Sequence, residues 1–306
     1  KTRLAFCLRG QGGTHIWTMA PAGGDPERVL LDPMEQIWAR WSPDGRRIAF
    51  HSGTDVWVAP LGGGPLSRLT ESEAIDGRPA WSPDGQEIAI ISDRSGNLDV
   101  WALPADGGEA RPVVVDPTED SIMGQVHWPQ SGVWSPNGRE IVFYSSRSGN
   151  WDVWVAPSEG GEARQLTTDP AADRFPAWSP DGRWILFDSD RGGGRLWNDS
   201  IGGGRLWRVP AEGGAAEPVL GEDGWSLIFS PDGDTVYFGA RREGYGNLYE
   251  KPFGSTAERQ LTEFAGRPGY LAWLHDTDGE SLYFTWSEDH GDLWVMDVEQ
   301  PGGTPR

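Results

Sequence analysis

The sequence predicts an all-β β-propeller, seven blades of four antiparallel strands each, with six blades as the alternative. Three observations carry the prediction. A Trp-Ser-Pro-Asp-Gly motif recurs at intervals of about forty residues. Each copy is followed by a short apolar strand and then by a second strand bearing an aromatic residue. The chain is also punctuated throughout, with 43 Gly and 24 Pro in 306 residues, which favours short strands and tight turns over helices.

The motif stands at residues 41–45, 81–85, 134–138 (with Asn137 for Asp) and 178–182. A fifth copy at 229–233 has Phe for Trp, and a sixth is degraded to Trp273-Leu-His-Asp-Thr-Asp-Gly279. Pro presets φ and Asp-Gly accepts the positive φ of a tight turn, so each copy reads as a hairpin turn. The strands that follow are Ile48-Ala-Phe50, Ile88-Ala-Ile90, Ile141-Val-Phe143, Ile185-Leu-Phe187, Val236-Tyr-Phe238 and Leu282-Tyr-Phe284, and Leu4-Ala-Phe6 opens the chain in the same form. The aromatic positions of the third strands are Trp17, Trp57, Trp101, Trp154, Trp207, Tyr249 and Trp294. Paired-Gly turns lead on to fourth strands such as Arg68-Leu-Thr70, Gln165-Leu-Thr167 and Gln260-Leu-Thr262. Four strands per unit is the signature of a propeller blade. Of the 18 Trp, five fall at the motif position and six on third strands, and packing between neighbouring blades accounts for them as core residues. Residues 1–306 thus read as one propeller domain with one first strand missing at a terminus.

These residues resemble the TolB-type, WD-like propeller repeat, over essentially the whole chain. The resemblance implies a fold shared by periplasmic scaffolds, sensor domains and the lids of prolyl-oligopeptidase-like enzymes. It implies a periplasmic or extracellular place in a bacterial envelope, with the cytoplasm left open.

Composition narrows the partners. A net charge of −20 argues against nucleic acid, since phosphate binding needs a basic surface. No apolar run approaches the ~20 residues of a membrane-spanning helix, so the chain is not expected to be membrane-embedded. A lone Cys7 excludes an internal disulfide framework and any Cys-based zinc site.

The variable segments lie at the entries to the first strands, which in a propeller surround the mouth of the central channel. They supply the candidate ligand-binding residues Trp38, Asp76, Arg78, His127, Trp128, Asp173, Arg174, Phe175, Trp225, Arg267 and Tyr270. A ring of aromatics interspersed with Asp and Arg can clamp a peptide, a sugar or a flexible segment of a partner. The competing reading is that these aromatics pack on one another and plug the channel. Arg94, Arg147, Arg191, Arg241 and Arg242 recur after the second strands, and pairing with Asp93, Asp188 or Asp190 makes them blade-to-blade glue. Two insertions interrupt the repeat: 116–131 lengthens one channel-mouth connection, and 192–197 is nearly duplicated at 202–207.

Catalytic signatures are absent: no Gly-x-Ser-x-Gly elbow, no His-Glu-x-x-His and no Walker loop. The first reading is therefore a non-catalytic scaffold that binds a protein or peptide. The second is a carbohydrate-binding or metal-dependent lyase-like propeller, in which His127 joins His15, His51 or His290. No catalytic residue, metal ligand or cofactor is predicted. The acidic loop Asp93-Arg-Ser-Gly-Asn-Leu-Asp99 offers oxygens for Ca²⁺, but Gly-Asn turn formation explains it more simply.

Overall fold

In the computed structural model, the Ser-Pro-Asp-Gly segments form one recurring turn. Ser42 Oγ donates to Asp44 Oδ1 at 2.6 Å and accepts from the Arg47 amide at 2.9 Å. The Gly45 amide closes the turn on the Ser42 carbonyl at 2.9 Å, with Gly45 at φ +68°, where a Cβ is disfavoured. Ser82/Asp84, Ser135/Asn137, Ser179/Asp181 and Ser230/Asp232 repeat the Ser-to-carboxylate (or amide) bond at 2.5–2.8 Å. The structure describes residues 4–10, 13–19, 27–29, 35–61, 64–118, 120–121, 133–191, 205–220, 224–230, 232–242, 245–264, 270–277, 281–287 and 292–297.

Among the described residues there are seven antiparallel sheets, taken up in chain order. Sheet 1 holds β1 (Leu4–Gly10), β2 (Gly13–Met19) and β3 (Glu27–Arg28). Sheet 2 holds β4 (Ile37–Trp41), β5 (Arg47–Ser52), β6 (Asp55–Pro60) and β7 (Ser67–Arg68). Sheet 3 holds β8 (Asp76–Trp81), β9 (Glu87–Ser92), β10 (Asp99–Pro104) and β11 (Arg111–Val114). Sheet 4 holds β12 (Asp120–Ser121), β13 (Glu140–Ser145), β14 (Asp152–Pro157) and β15 (Arg164–Gln165). Sheet 5 holds β16 (Asp173–Trp178), β17 (Trp184–Ser189), β18 (Arg205–Pro210) and β19 (Glu217–Pro218). Sheet 6 holds β20 (Gly224–Phe229), β21 (Thr235–Arg242), β22 (Tyr245–Pro252) and β23 (Arg259–Gln260). Sheet 7 holds β24 (Tyr270–Thr277), β25 (Ser281–Ser287) and β26 (Asp292–Asp297). Sheets 1–4 fall in one compact unit and sheets 5–7 in a second.

Within each unit, consecutive sheets pack on one another. In the first, β8 lies against β4, β5 and β6, and β12 against β10; in the second, β20 lies against β18, and β24 against β20. The core is built from second strands, where Phe50, Phe143, Phe187 and Phe238 are fully buried together with Ile48, Ile88, Ile141 and Ile185. Each such side chain contributes roughly 1.5–3 kcal/mol through apolar area removed from water.

The motif Trp residues seal neighbouring sheets. Trp81 is buried, and its indole Nε1 donates across to the Arg40 carbonyl at 3.1 Å; Trp134 does the same to Ala80 at 3.0 Å. Fourth strands are held by side chains as well as backbone. Thr70 Oγ1 accepts from the Val56 amide at 3.0 Å and donates to Asp55 Oδ1 at 3.2 Å. Thr167 with Asp152 and Thr262 with Asn247 reproduce the pairing at 3.2 Å, which accounts for the terminal Thr of the Leu-Thr segments.

Two expectations are corrected here. The third-strand Trp57, Trp101, Trp154 and Trp207 are half-buried rather than fully buried: Trp57, Trp101 and Trp154 pack against the core on one side, and each of the four is faced by an Arg guanidinium at 4.8–5.8 Å. In sheet 7, Thr277 pairs with Leu282 in the register where Trp81 pairs with Ile88, so Trp273 is not the counterpart of the motif Trp.

Candidate functional site

Each first strand begins at a fixed anchor. In sheet 3, Asp76 opens β8 with its side chain fully buried. Its Oδ1 accepts from Arg94 Nη2 at 2.8 Å and its Oδ2 from Ser72 Oγ at 3.0 Å. The Arg94 Nε donates to Ser92 Oγ at 2.9 Å, and the guanidinium lies 4.9 Å from the Trp101 ring centroid. Sheet 4 repeats the arrangement: Arg147 Nη2 reaches both oxygens of Asp120 at 2.7 and 2.6 Å and covers Trp154 at 5.0 Å. In sheet 5 Arg191 holds Asp173 at 2.7 Å over Trp207 at 4.8 Å.

The recurrent Arg is therefore glue, but within a sheet and with partners other than those expected from sequence. Asp93 and Asp190 instead accept the amides of Ile75 and Ala172 at 2.8 and 2.7 Å, fixing the loops that lead into β8 and β16. Burial of an ion pair yields little net stability, yet leaving one partner unpaired costs several kcal/mol, so these pairs fix geometry. Burial is the leading influence on Asp120 and pushes its carboxyl up to about 6 against the hydrogen bonds from Ser145 and Arg147.

Two residues after the anchor the first strand bulges. Ile37 pairs with His51 and Arg40 with Ala49, so three steps on β4 oppose two on β5. The same offset separates Gly77 from Ala80 in β8 and Arg174 from Ala177 in β16. β20 and β24 also carry one extra residue at this point. At the bulge stand Trp38, Arg78 and Phe175 with φ of 58°, 55° and 55°. These are the non-Gly residues at positive φ among the described residues, and each such placement costs on the order of 1–3 kcal/mol. Bulges re-aim side chains, and strained residues of this kind collect at functional sites.

In the first unit this brings two of the predicted residues together. The Arg78 guanidinium lies 5.4 Å from the Trp38 ring centroid, and its Nη1 donates to Ser121 Oγ at 3.0 Å. Trp38, Arg78 and Ser121 thus form a row across the first strands of sheets 2, 3 and 4. Beneath it sits His51, whose Nε2 meets the Gly53 carbonyl at 2.9 Å. A Cβ on Gly77 would stand 3.0 Å from His51 Nδ1, so any larger residue there would crowd the imidazole. Burial, and to a smaller degree Arg78, lowers the His51 pKa and keeps the ring neutral.

The other predicted residues divide by position. Asp76 and Asp173 are the buried anchors of Arg94 and Arg191 rather than exposed groups. Phe175 is buried at the bulge of β16, and Arg174 is half-buried with its backbone opposite Asp188. Trp225 pairs with Gly239 and Tyr270 with Ser287 in the sheet ladders; the placement of their side chains lies outside the described set. His127, Trp128 and Arg267 lie outside the described residues, as do 192–204. The insertion assigned to 116–131 is placed differently: Ser121 pairs with Tyr144, and Val133 resumes the ladder by accepting from the Val142 amide at 2.8 Å. Eleven residues, 122–132, which lie outside the described set, thus separate Ser121 from Val133, where β8 has only Arg78 and Pro79 between Gly77 and Ala80.

Ser121 and Gly77 join the site without having been predicted, their only sequence signal being proximity to the strand ends, and His51, raised in the sequence only for the lyase-like reading, joins it beside Gly77. The Asp99 carboxylate takes its donors from the protein, accepting from Ser95, from Asn97 and from the Asp116 amide. No group of three or more His, Cys, Asp or Glu arranged to hold a metal occurs among the described residues. Among the described residues no helix is long and apolar enough to cross a membrane.

Repeated sheets of this order define the class: the chain is an all-β propeller built from four-stranded units. Residues 118–229 match the model of the TolB beta propeller domain. The Tol-Pal system protein TolB of Anaeromyxobacter dehalogenans is 37% identical over 175 residues, which is 57% of this chain and 29% of that protein. The chain thus matches under a third of the length of that relative. Among solved structures, a putative TolB from Agrobacterium tumefaciens superposes with a TM-score of 0.58 at 24% identity, covering 77% of this chain and 83% of that one. The β-propeller domain of the trilobed protease from Pyrococcus furiosus superposes with a TM-score of 0.67 at 16% identity, covering 99% and 94%. At these identities the structural likeness concerns the fold.

Proposed function

We propose that the chain is a non-catalytic binding scaffold that holds a protein or peptide partner at the entries of its first strands, and that these surround the channel mouth of a seven-bladed ring. The observation that carries the reading is the repeated bulge, where Trp38, Arg78 and Phe175 accept positive φ although glycine would remove the strain. The buried Asp–Arg pairs two residues earlier supply the rigid support that such a display requires. Likeness to a Tol-Pal system protein supports a partner that is itself a protein and a place in the bacterial envelope.

A quantitative pull-down from Gram-negative envelope extract tests the reading. The intact chain is compared with a Trp38→Ala, Arg78→Ala, Trp225→Ala variant matched for thermal stability. The reading expects a protein enriched by the intact chain and lost by the variant. Equal recovery by both would move binding away from the first-strand entries and sink the proposal.

A further inference from the structure

Arg78 differs from the half-buried arginines of the neighbouring anchors in what it lacks among the described residues. Arg94 and Arg147 each spend their charge on a buried carboxylate, at 2.8 and 2.6 Å. Arg47, Arg68 and Arg111 also have carboxylate partners, at 2.6–2.8 Å. Arg78 has none among the described residues: its contacts there are the Trp38 ring and the hydroxyl of Ser121. There only one of its five N–H groups is engaged, through Nη1, which leaves the Nε–Nη2 edge with two parallel donors. A half-buried guanidinium with no described carboxylate partner stands apart from Arg94 and Arg147 in a chain of net charge −20. Its orientation is also fixed. The strained bulge sets the direction of departure from the strand, the indole supports one face of the cation, and Ser121 fixes one corner. A planar fork held in this way matches the two oxygens of a carboxylate.

Resting on the scaffold reading above, we infer that Arg78 is the anchor for a carboxylate of a bound peptide, with Trp38 and Ser121 as its positioning residues. A peptide is favoured over an acidic sugar because the guanidinium already covers a face of Trp38, the flat surface on which a sugar ring stacks. His51, neutral and with its Nε2 committed to the Gly53 carbonyl, adds no competing positive charge. The carboxylate is either a chain terminus or an Asp or Glu side chain, and the chemistry at Arg78 is the same for both.

The test uses arrays of short random peptides in three forms: free C-terminus without Asp or Glu, amidated with Asp or Glu, and amidated without either. An oligogalacturonate array forms a fourth arm. The full chain is compared with Arg78→Lys, Arg78→Gln and Arg78→Gly, the last adopting φ +55° without strain and so guarding against a folding defect. The expected result is retention of carboxylate-bearing peptides, at least a tenfold loss in Arg78→Gln and Arg78→Gly, and a smaller loss in Arg78→Lys. The arm retained identifies the terminal or the side-chain carboxylate. Retention of peptides irrespective of carboxylate, or unchanged affinity in Arg78→Gln, overturns the anchor while leaving the scaffold standing. Retention of oligogalacturonate alone overturns the peptide assignment. If no arm is retained by the wild-type chain, the anchor falls, and the pull-down alone decides the scaffold reading.

Discussion

Asp120 and Arg147 allow the buried-anchor argument to be tested by pH as well as by mutation. Asp120 is about 1% exposed and Arg147 holds both its oxygens within 2.7 Å. Burial raises the carboxyl to about 6, whereas an unfolded chain has about 3.9. Between those values the native state binds the proton that the unfolded state releases. The contribution is therefore fully present below about pH 4 and is lost as pH rises through about 6. Two units at 1.36 kcal/mol each give a loss of about 3 kcal/mol across that window. Asp120→Asn cannot titrate, so the stability difference between wild type and variant should shrink by about 3 kcal/mol from pH 4 to pH 7. Arg147→Met should behave in the opposite sense. It should cost roughly 3–5 kcal/mol at pH 7, where a charged carboxylate is left buried, and much less at pH 4, where the group is neutral. Urea unfolding at a series of pH values reads both differences. A pH-independent difference for Asp120→Asn, or a cost below 1 kcal/mol for Arg147→Met at pH 7, would refute the reasoning.

Two further outcomes follow from single contacts. Ser82→Ala removes the bonds to Asp84 Oδ1 at 2.6 Å and from the Glu87 amide at 2.9 Å, and should cost about 1 kcal/mol by chemical denaturation. Because the Ser82 hydroxyl leads in holding the Asp84 carboxyl below its usual range, wild type should also lose stability as pH falls below about 4, and the variant less so. Gly77→Ala places a methyl 3.0 Å from His51 Nδ1 while the opposite edge of the ring is tied to Gly53 at 2.9 Å. Overpacking of about 1–3 kcal/mol is expected, with a displaced His51 imidazole resonance by NMR; an unshifted resonance would contradict the contact.

The parts of the fold legible in the sequence are those encoded by neighbours along the chain. Ser82, Pro83, Asp84 and Gly85 make their turn from local chemistry, and Phe50, Phe143 and Phe187 announce buried strands by the apolar run in which each stands. Hidden features depend on register. Asp93 adjoins Arg94 in sequence, yet Arg94 reaches back 18 positions to Asp76, because antiparallel pairing sets Asp76 opposite Ser92. The third-strand Trp residues look like core until the guanidinium that shields them is placed. Residues 116–131 read as a longer loop, whereas Asp116 and Thr118 still belong to the ordinary turn around Asp99 and Asn97. The extra length in the sequence falls beyond Ser121, between it and Val133.

That placement bears on how a repeat of this kind acquires a site. A first strand must satisfy its anchor at one end and deliver its motif aromatic to the neighbouring sheet at the other; Asp76 and Trp81 do both within six residues. Between them only the two bulge residues, Arg78 and Pro79, escape the ladder, and residues without a cross-strand partner can change without altering the pairing on either side. The chain uses that freedom differently in each sheet: an aromatic at Trp38, a cation at Arg78 and a buried ring at Phe175. Packing alone needs only volume, as at Phe175. It does not call for a guanidinium carried on an indole with its remaining donors uncommitted among the described residues, and that difference weighs toward a ligand at Arg78 rather than packing alone.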